Sequence, residues 1–309
     1  MGRRRGRAVD GILTVDKPAG QTSNQTLRRV SGWLDARKAG HTGNLDPLAT
    51  GLLVMCFGEA TKISGWLLDA DKAYVATVRL GVVTDSADAD GTPLDERPVP
   101  AVDAGYLESV LARFRGPIEQ VPPMVSALKH QGRRLHELAR EGRTVERAPR
   151  PVTIHSLTGE WIEADRLRLT VSCSKGTYIR SLAADIGEAL GCGAHIETLR
   201  RTALGPFDGA GMWTLDALEQ RYQSGSEALD ACLLPADRGL RGYPAVTLPS
   251  GESARFCQGQ AVALAADETA PTGLCRVYAE AEGFLGMGER AGDRGVAPRR
   301  LLVQRRPHG

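Results

Sequence analysis

Residues 40–51, G-H-T-G-N-L-D-P-L-A-T-G, constrain this chain more than any other part of its sequence. The segment places three glycines and one proline within twelve residues, a composition typical of a tight loop. A loop of this kind is costly to order and usually holds a functional site. Asp46 stands directly before Pro47, which biases its backbone toward extended geometry. The sequence therefore predicts an ordered loop in which Asp46 is the first candidate for chemistry.

The residues alone leave a second interpretation of this loop open. An aspartate followed by a proline also suits the N-cap and first position of a short helix, here through Leu48 and Ala49. A phosphate-binding loop fits less well, because its G-x-x-x-x-G-K-[ST] pattern requires a lysine where Leu52 stands. A catalytic carboxylate and a helix cap thus remain as alternatives for Asp46.

The composition is that of a folded globular protein. The chain has 309 residues, of which 42% are hydrophobic, and this predicts about two domains with a substantial core. The longest apolar run, residues 52–57, is far shorter than the roughly 18 residues of a membrane helix. Six cysteines are scattered too widely to indicate a disulfide scaffold or a metal site. We therefore expect a cytoplasmic protein with no membrane contact and no bound metal.

The net charge of +2 conceals three basic segments. Residues 1–50 carry nine Lys or Arg against four Asp, residues 126–150 carry seven against three Glu, and residues 289–306 carry six Arg against two acids. Phosphate contacts supply much of the affinity of proteins for nucleic acid, so this pattern favours a nucleic-acid partner. The long basic insertion at about residues 124–150 is expected to clamp that partner.

Hydrophobic periodicity predicts a mixed α/β fold. Strands are expected over residues 11–15, 52–57, 73–80 and 167–173, and helices after Thr22, over residues 59–69 and over residues 179–190. Alternation in the third of these strands places Tyr74 at the start of its apolar face. A cluster of Pro and Gly over residues 233–244 predicts a domain boundary near residue 243, followed by a small β domain.

One residue violates a local rule of helix formation. Arg180 falls in the first turn of a predicted helix. A cation there interacts unfavourably with the helix dipole, at a cost of up to about 1 kcal/mol. Such violations are expected where a charged partner or a function compensates for them. We hypothesise that the carboxylate of Asp46 is this partner.

Seven segments along the chain form a recognisable set: G-I-L-T-V-D-K-P-A-G-Q-T-S, G-H-T-G-N-L-D-P-L-A-T-G, K-A-Y, D-A-D-G, P-P-M-V-S-A-L-K, K-G-T-Y-I-R-S-L and L-R-R-T. Through them the chain resembles the bacterial TruB-type tRNA pseudouridine synthases over nearly its whole length. The tail, with R-F-C-Q-G-Q-A-V, G-F-L-G-M-G-E and A-P-R-R-L, is similar to that family's small RNA-binding domain of PUA type. The resemblance implies the pseudouridine synthase fold: a mixed central sheet flanked by helices over residues 1–243, and a β-rich PUA-like domain over residues 244–309.

The resemblance also implies an activity. The uridine at position 55 in the T loop of tRNA would flip out, its glycosidic bond would be cut, and C5 of the turned uracil would be joined to the ribose. The family works on the tRNA T arm without a cofactor, metal or protein partner, and we expect a monomer. The site residues implied are the catalytic Asp46 and the substrate contacts His41, Tyr74, Arg180 and Leu199, and we add Tyr178 as a further substrate contact. Among the basic residues we expect RNA contacts at Lys17, Lys129, Arg133, Arg134 and Arg140.

Residue chemistry suggests what three of these side chains would do. His41 would fill the gap left by the flipped base, Tyr74 would stack on that base, and Arg180 would keep the buried carboxylate ionised. Whether Asp46 attacks C6 of the base, attacks C1′ of the sugar or takes a ribose proton stays open. Two residues depart from the family pattern: Asn44 replaces the usual Thr, and His136 the usual Tyr.

Functions of other classes also remain open. In one, the chain is primarily an RNA-binding or tRNA-folding module, and the Asp46 loop is only structural. In another, His41 and Asp46 serve a hydrolase.

Overall fold

The computed structural model describes residues 6–126, 128–130, 132–143, 145–264, 272–280, 283–291 and 295–302. Inside the basic insertion, six of these residues are described by their backbone alone: Lys129, His130, Arg134, His136, Ala139 and Arg140. Strands and helices alternate along the chain, which confirms the predicted mixed α/β class.

The strands, in chain order, are β1 Gly11–Lys17, β2 Ala39–His41, β3 Thr50–Phe57, β4 Lys72–Leu80, β5 Val82–Thr84, β6 Pro93–Glu96, β7 Gly116–Gln120, β8 Lys129–His130, β9 Arg133–Arg134, β10 Arg150–Glu163, β11 Arg166–Cys173, β12 Ala194–Leu204, β13 Trp213–Thr214, β14 Ala245–Leu248, β15 Gly273–Ala279, β16 Gly283–Arg290 and β17 Val296–Leu301. All four predicted strands are present. The first of them, β1, is two residues longer than its apolar run and includes Lys17.

The helices are α1 Ser23–Trp33, α2 Ser64–Leu68, α3 Ala104–Ala112, α4 Leu135–Arg140, α5 Ile179–Ala189, α6 Leu215–Gln223, α7 Ser226–Asp230 and α8 Ser250–Cys257, with 3₁₀ helices at Gly58–Ile63 and Ala236–Leu240. The single helix predicted over residues 59–69 is wrong, because a 3₁₀ helix and the short α2 divide that stretch. No helix among the described residues is long and apolar enough to span a membrane.

Nine strands of the described chain form one mixed sheet. Its order is β13-β1-β3-β12-β4-β11-β10-β7, and β2 pairs with β3 beside this path. β12 runs parallel to β3 and antiparallel to β4. The central position of β12 brings the loop that precedes β3 and the first residues of β4 to the same end of the sheet, where Arg200 pairs with Thr50 and Arg201 with Tyr74.

The continuous apolar run of β3 is explained by burial on both faces of this sheet. Leu53, Met55 and Phe57 belong to one hydrophobic cluster, which also contains residues of α1 and α5. Leu52 and Val54 belong to a second cluster on the opposite face. A strand covered on both faces needs apolar side chains at successive positions.

The second cluster also contains residues of the C-terminal part of the chain. Phe284, Met287 and Leu302 pack there with Leu67 and Leu240. The strands β14 to β17 form a separate four-stranded sheet, whose first residue, Ala245, lies two residues beyond the predicted boundary. The C-terminal β domain is therefore fixed against the back of the main sheet by a shared apolar core.

Candidate active site

The Asp46 loop connects β2 to β3 and is fixed on both sides of the aspartate. The hydroxyl of Ser23, at the start of α1, donates to the Leu45 carbonyl at 3.1 Å and accepts from the Leu45 amide at 2.8 Å. On the other side, the Pro47 carbonyl accepts from the Gly20 amide at 2.8 Å. Gly51 closes the loop with φ 95°, and a Cβ there would stand 2.3 Å from the Arg201 carbonyl oxygen. Only glycine fits this position.

The short helix considered for Leu48 and Ala49 is absent. The Asp46 carbonyl accepts one hydrogen bond from the Ala49 amide at 3.1 Å, but the chain makes bends there and continues into β3. The alternative in which Asp46 caps a helix is therefore wrong. The loop leaves the Asp46 carboxylate free for another partner.

That partner is Arg180, and the hypothesised pairing is confirmed. Nε of Arg180 lies 3.1 Å from Oδ2 of Asp46, and the arginine side chain is only 4% exposed. The same guanidinium lies 3.4 Å from Asp88 Oδ2 and donates to the carbonyls of Ser86 at 2.9 Å and Val125 at 2.6 Å. Arg180 thus joins the Asp46 loop, the acidic turn after β5 and the start of the basic insertion.

The protonation state of Asp46 results from opposing influences. Burial raises the pKa of its carboxyl above the ordinary value, and the nearby charge of Asp88 acts in the same direction. The positive charges of Arg180 and Lys17 lower that pKa. Because 41% of the Asp46 side chain remains exposed, the carboxylate is recessed but accessible to a substrate.

Beside Asp46 lies a cavity of about 290 Å³, close to the lower limit for small-ligand pockets. Its lining includes four of the predicted site residues together with Asp46: Tyr74, Tyr178, Arg180 and Leu199. Tyr74 comes from β4, Leu199 from β12 and Tyr178 from the N-cap of α5. The fold therefore brings these residues together from four separate segments of the chain.

Arg201 also lines this cavity and was not predicted. Its side chain is 1% exposed, and Nε donates to the Leu52 carbonyl at 2.7 Å. Its two terminal nitrogens lie 3.4 Å from the carbonyl oxygens of Asn44 and Gly43 in the Asp46 loop. Burial raises the pKa of the Tyr74 hydroxyl, and a hydrogen bond from Arg201 opposes this rise. Tyr74 is thus a neutral phenol that keeps its proton as a hydrogen-bond donor.

The structure contradicts the expected RNA contact of Lys17. Its side chain is fully buried, and its ammonium donates to the carbonyls of Pro18 at 2.8 Å, Gln21 at 2.6 Å and Pro47 at 3.4 Å. Burial lowers its pKa to about 8. Counting basic residues along the sequence treats every lysine as exposed. This one instead holds the turn after β1 against the Asp46 loop.

His41 lies at the end of β2, outside the set of residues that line the cavity. Burial and the charge of Arg201 lower the pKa of its imidazole, so the ring is neutral at neutral pH. Its Nδ1 is buried without a hydrogen-bond partner in the described part of the chain. Its role as a filler for the flipped base stays a prediction.

The insertion forms the two-stranded sheet of β8 and β9 and the helix α4. Arg133 pairs there with Glu141, and both side chains are almost half exposed. The side chains of Lys129, Arg134 and Arg140 lie outside the described residues, as does that of His136. RNA binding by this segment stays a prediction.

Comparison with known proteins identifies the class of this fold. The fold is similar to a chain in the crystal structure of a Cbf5-Nop10-Gar1 complex, with a TM-score of 0.74, 25% identity, and coverage of 96% of this chain and 86% of that one. A chain in the structure of an H/ACA RNP bound to a substrate RNA containing 2′-deoxyuridine matches with the same TM-score at 23% identity, covering 98% and 91%. The family model described as TruB family pseudouridylate synthase (N terminal domain) matches residues 31–179. These matches place the fold in the class of the pseudouridine synthases.

Two further models match later parts of the chain. The tRNA pseudouridylate synthase B C-terminal domain matches residues 180–241, and the C-terminal model of pseudouridine synthase II TruB matches residues 244–302. The protein named tRNA pseudouridine synthase B from Chromohalobacter salexigens is 52% identical over 300 residues, which cover 97% of this chain and 96% of that protein. Its namesake from Pseudomonas aeruginosa strain UCBPP-PA14 is 50% identical over 297 residues, covering 96% and 97%. The chain belongs to the TruB family, and its C-terminal β domain is the PUA-like domain that the sequence predicted.

Proposed function

We propose that this protein converts the uridine at position 55 in the T loop of tRNA to pseudouridine. The relatives named tRNA pseudouridine synthase B support tRNA as the substrate. The observation that carries the proposal is the Asp46 carboxylate, held 3.1 Å from the buried Arg180 guanidinium at the cavity. A single accessible carboxylate with a fixed cation behind it suits a reaction that needs one nucleophile or base and no cofactor.

In this proposal Asp46 reacts in its ionised form. Arg180 opposes the effect of burial on the carboxyl pKa and so favours the anion. The reaction is an isomerisation: uracil N1 loses its bond to C1′ and gains a proton, while C5 gains that bond and loses a proton. No atom enters or leaves overall, and no electron acceptor is required.

The flipped uracil occupies the cavity between Tyr74, Tyr178 and Leu199. Tyr74 offers its ring for stacking and its hydroxyl for a hydrogen bond to the base, because burial keeps the phenol protonated. Leu199 is 8% exposed and supplies an apolar wall. His41 fills the gap that the base leaves in the T loop.

The RNA around the flipped base is bound by the basic insertion. Lys129, Arg133, Arg134 and Arg140 contact phosphates of the T arm. The catalytic domain spans residues 1–243, and the PUA-like domain at residues 244–309 adds RNA contacts. The enzyme acts as a monomer in this proposal.

The test is a positional one. The purified protein is incubated with an unmodified tRNA transcript, and pseudouridine is mapped along the RNA by a base-specific chemical method. We expect one modified position, uridine 55, and none in a transcript that carries cytidine there. Modification at another uridine would refute the proposed target. Release of free uracil without pseudouridine would refute the isomerisation and favour a hydrolase.

A further inference from the structure

Lys72 is a cation of the cavity that the proposed mechanism does not use. It is the first residue of β4 and lines the same cavity as Asp46 and Tyr74. Its ammonium donates to the carbonyls of Leu68 at 3.0 Å and Ala70 at 2.6 Å. These bonds use two of its three N–H groups. Within the described residues, no carboxylate forms an ion pair with Lys72.

Close by lies Arg201, a second cation that has no carboxylate partner in the part of the chain that the structure describes. The side-chain ends of Lys72 and Arg201 both lie close to Gly43 in the Asp46 loop. A Cβ added to Gly43 would stand 3.8 Å from Lys72 Cε and 3.6 Å from Arg201 Nη1. Burial and the charge of Arg201 lower the pKa of Lys72 to about 8. The charges of Asp71 and Asp69 raise this pKa, but neither carboxylate is close enough to form an ion pair with Lys72. The ammonium is therefore mostly charged at neutral pH.

This arrangement is unfavourable in the free protein. A partly buried charge usually has a paired opposite charge, as Arg180 has in Asp46 and Asp88. Local arrangements that oppose stability are expected where a ligand supplies the missing partner. Lys72 thus indicates that the cavity receives negative charge from its substrate.

Each of the three routes open to Asp46 generates such a charge on the base. Addition of the carboxylate to C6 shifts the C5–C6 π electrons toward C4, and the resulting enolate carries its negative charge on O4. Attack at C1′, or removal of a ribose proton followed by departure of the base, leaves the electron pair of the C1′–N1 bond on uracil, shared by N1, O2 and O4. Donors fixed where charge develops lower the barrier to reaction.

We propose that the third N–H of Lys72 binds an anionic oxygen of the flipped nucleotide. The oxygen is O2 or O4 of the uracil as charge develops on it, or a phosphate oxygen of the same nucleotide. This inference rests on the proposed function, because it requires a flipped uridine in the cavity.

The experiment compares Lys72→Met, Lys72→Arg and Lys175→Met with the unchanged enzyme. Lys175→Met is the structural control: Lys175 pairs with Asp69 at 2.9 Å in the segment that Lys72 also contacts, but it lies outside the set of residues that line the cavity, and its loss leaves the charge of Asp69 near Lys72 in place. For each variant, the single-turnover rate at saturating enzyme and the tRNA affinity between 50 and 200 mM salt are measured. Circular dichroism and thermal unfolding check that each variant is folded.

We expect Lys72→Met to lose on the order of 100-fold in single-turnover rate, the effect typical of removing one donor to a developing oxyanion. Unchanged affinity together with this loss identifies the uracil oxygen. Weaker affinity with a slope of log affinity against log salt smaller by about 0.7 to 0.9 identifies the phosphate. Lys72→Arg should recover part of either loss because it keeps the charge.

Two results would overturn the inference. One is a folded Lys72→Met variant with the rate, affinity and salt slope of the unchanged enzyme. The other is an equal loss in Lys175→Met, which would show that Lys72 only fastens the segment after α2. In both cases the unchanged enzyme still modifies uridine 55, so that only the role of Lys72 fails. If the unchanged enzyme forms no pseudouridine, the proposed function itself fails.

Discussion

Arg180 at the active site and Arg133 in the basic insertion show what burial does to the same side chain. Both pair with a carboxylate, Arg180 with Asp46 and Arg133 with Glu141. Arg180 is 4% exposed and has four partners from three segments, whereas the Arg133 side chain is 46% exposed. The first arginine is part of the framework that places the carboxylate proposed to be catalytic. The second can exchange its carboxylate for a phosphate at little cost, because water already solvates both groups.

Arg180→Met should have the largest effect. It leaves Asp46 and Asp88 side by side without their cation, and it leaves two backbone carbonyls without their donor. Breaking a buried pair by removing one partner costs about 3–5 kcal/mol. We expect a fall in the free energy of unfolding of that order and a loss of at least about 1000-fold in single-turnover rate. Denaturant unfolding and rapid-quench assays measure the two quantities.

Arg133→Met is the matched control for this comparison. It also separates an arginine from its carboxylate, but at the surface, and we expect stability and saturated rate to stay near those of the unchanged protein. If both variants lost stability equally, burial would not be the difference between these two arginines.

The pH dependence should follow the ionisation of Asp46. Its pKa is raised above the ordinary value, so the active anion is lost as pH falls through that raised pKa. Below it, the single-turnover rate should fall about tenfold per pH unit. Arg180→Lys, whose compact charge cannot keep all four contacts, should move this acid limb to higher pH. A limb at the same pH in both proteins would contradict the role given to Arg180.

Ser23→Ala tests the support of the loop from α1. The mutation leaves the amide and carbonyl of Leu45 without their hydroxyl partner, which costs about 1–3 kcal/mol for buried groups. We expect a loss of stability in that range and a lower rate, because Asp46 is the next residue. Ser31→Ala in the same helix is the control, since the Ser31 hydroxyl has no hydrogen-bond partner in the described chain. Equal losses in the two variants would rule out a special role for Ser23.

Arg133→Ala should have the smallest effect, and only on RNA binding. Loss of one phosphate contact should weaken tRNA binding a few-fold and lower the salt slope by roughly 0.7 to 0.9. Arg168→Ala is the control, because Arg168 is 48% exposed and also pairs with a glutamate, Glu160, but lies on β11 of the main sheet. Equal changes in both variants would show that general charge, rather than the insertion, binds the RNA.

Sequence reasoning succeeded where a residue violated a local rule of helix formation or where the hydrophobic period of a strand was clear. The alternation of β4 placed Tyr74 correctly, and the position of Arg180 against a helix dipole indicated its pairing with Asp46. It failed where the structure depends on contacts between distant segments. Lys17 was taken for a surface residue because its three carbonyl partners lie in two turns, one of them 30 residues away.

The missed residues have the same cause. Ser23, Lys72 and Arg201 meet the Asp46 loop only through the packing of α1 and the register of β4 and β12, which local propensity does not determine. The L-R-R-T segment was a usable signal, since it places two successive arginines beside an apolar strand residue. The short helix considered as an alternative after Asp46 does not form, because hydrogen bonds to Leu45 and Pro47 override the tendency of Asp-Pro to begin a helix.

The most direct measurement is the yield of pseudouridine at position 55 with Asp46→Asn. Asp35→Asn is its matched control, because Asp35 is exposed and its φ of 45° suits asparagine equally well. Asp46→Asn should fold, bind tRNA and form no pseudouridine, while Asp35→Asn should match the unchanged enzyme. Undiminished pseudouridine with Asp46→Asn would show that the carboxylate held by Arg180 does not perform the reaction.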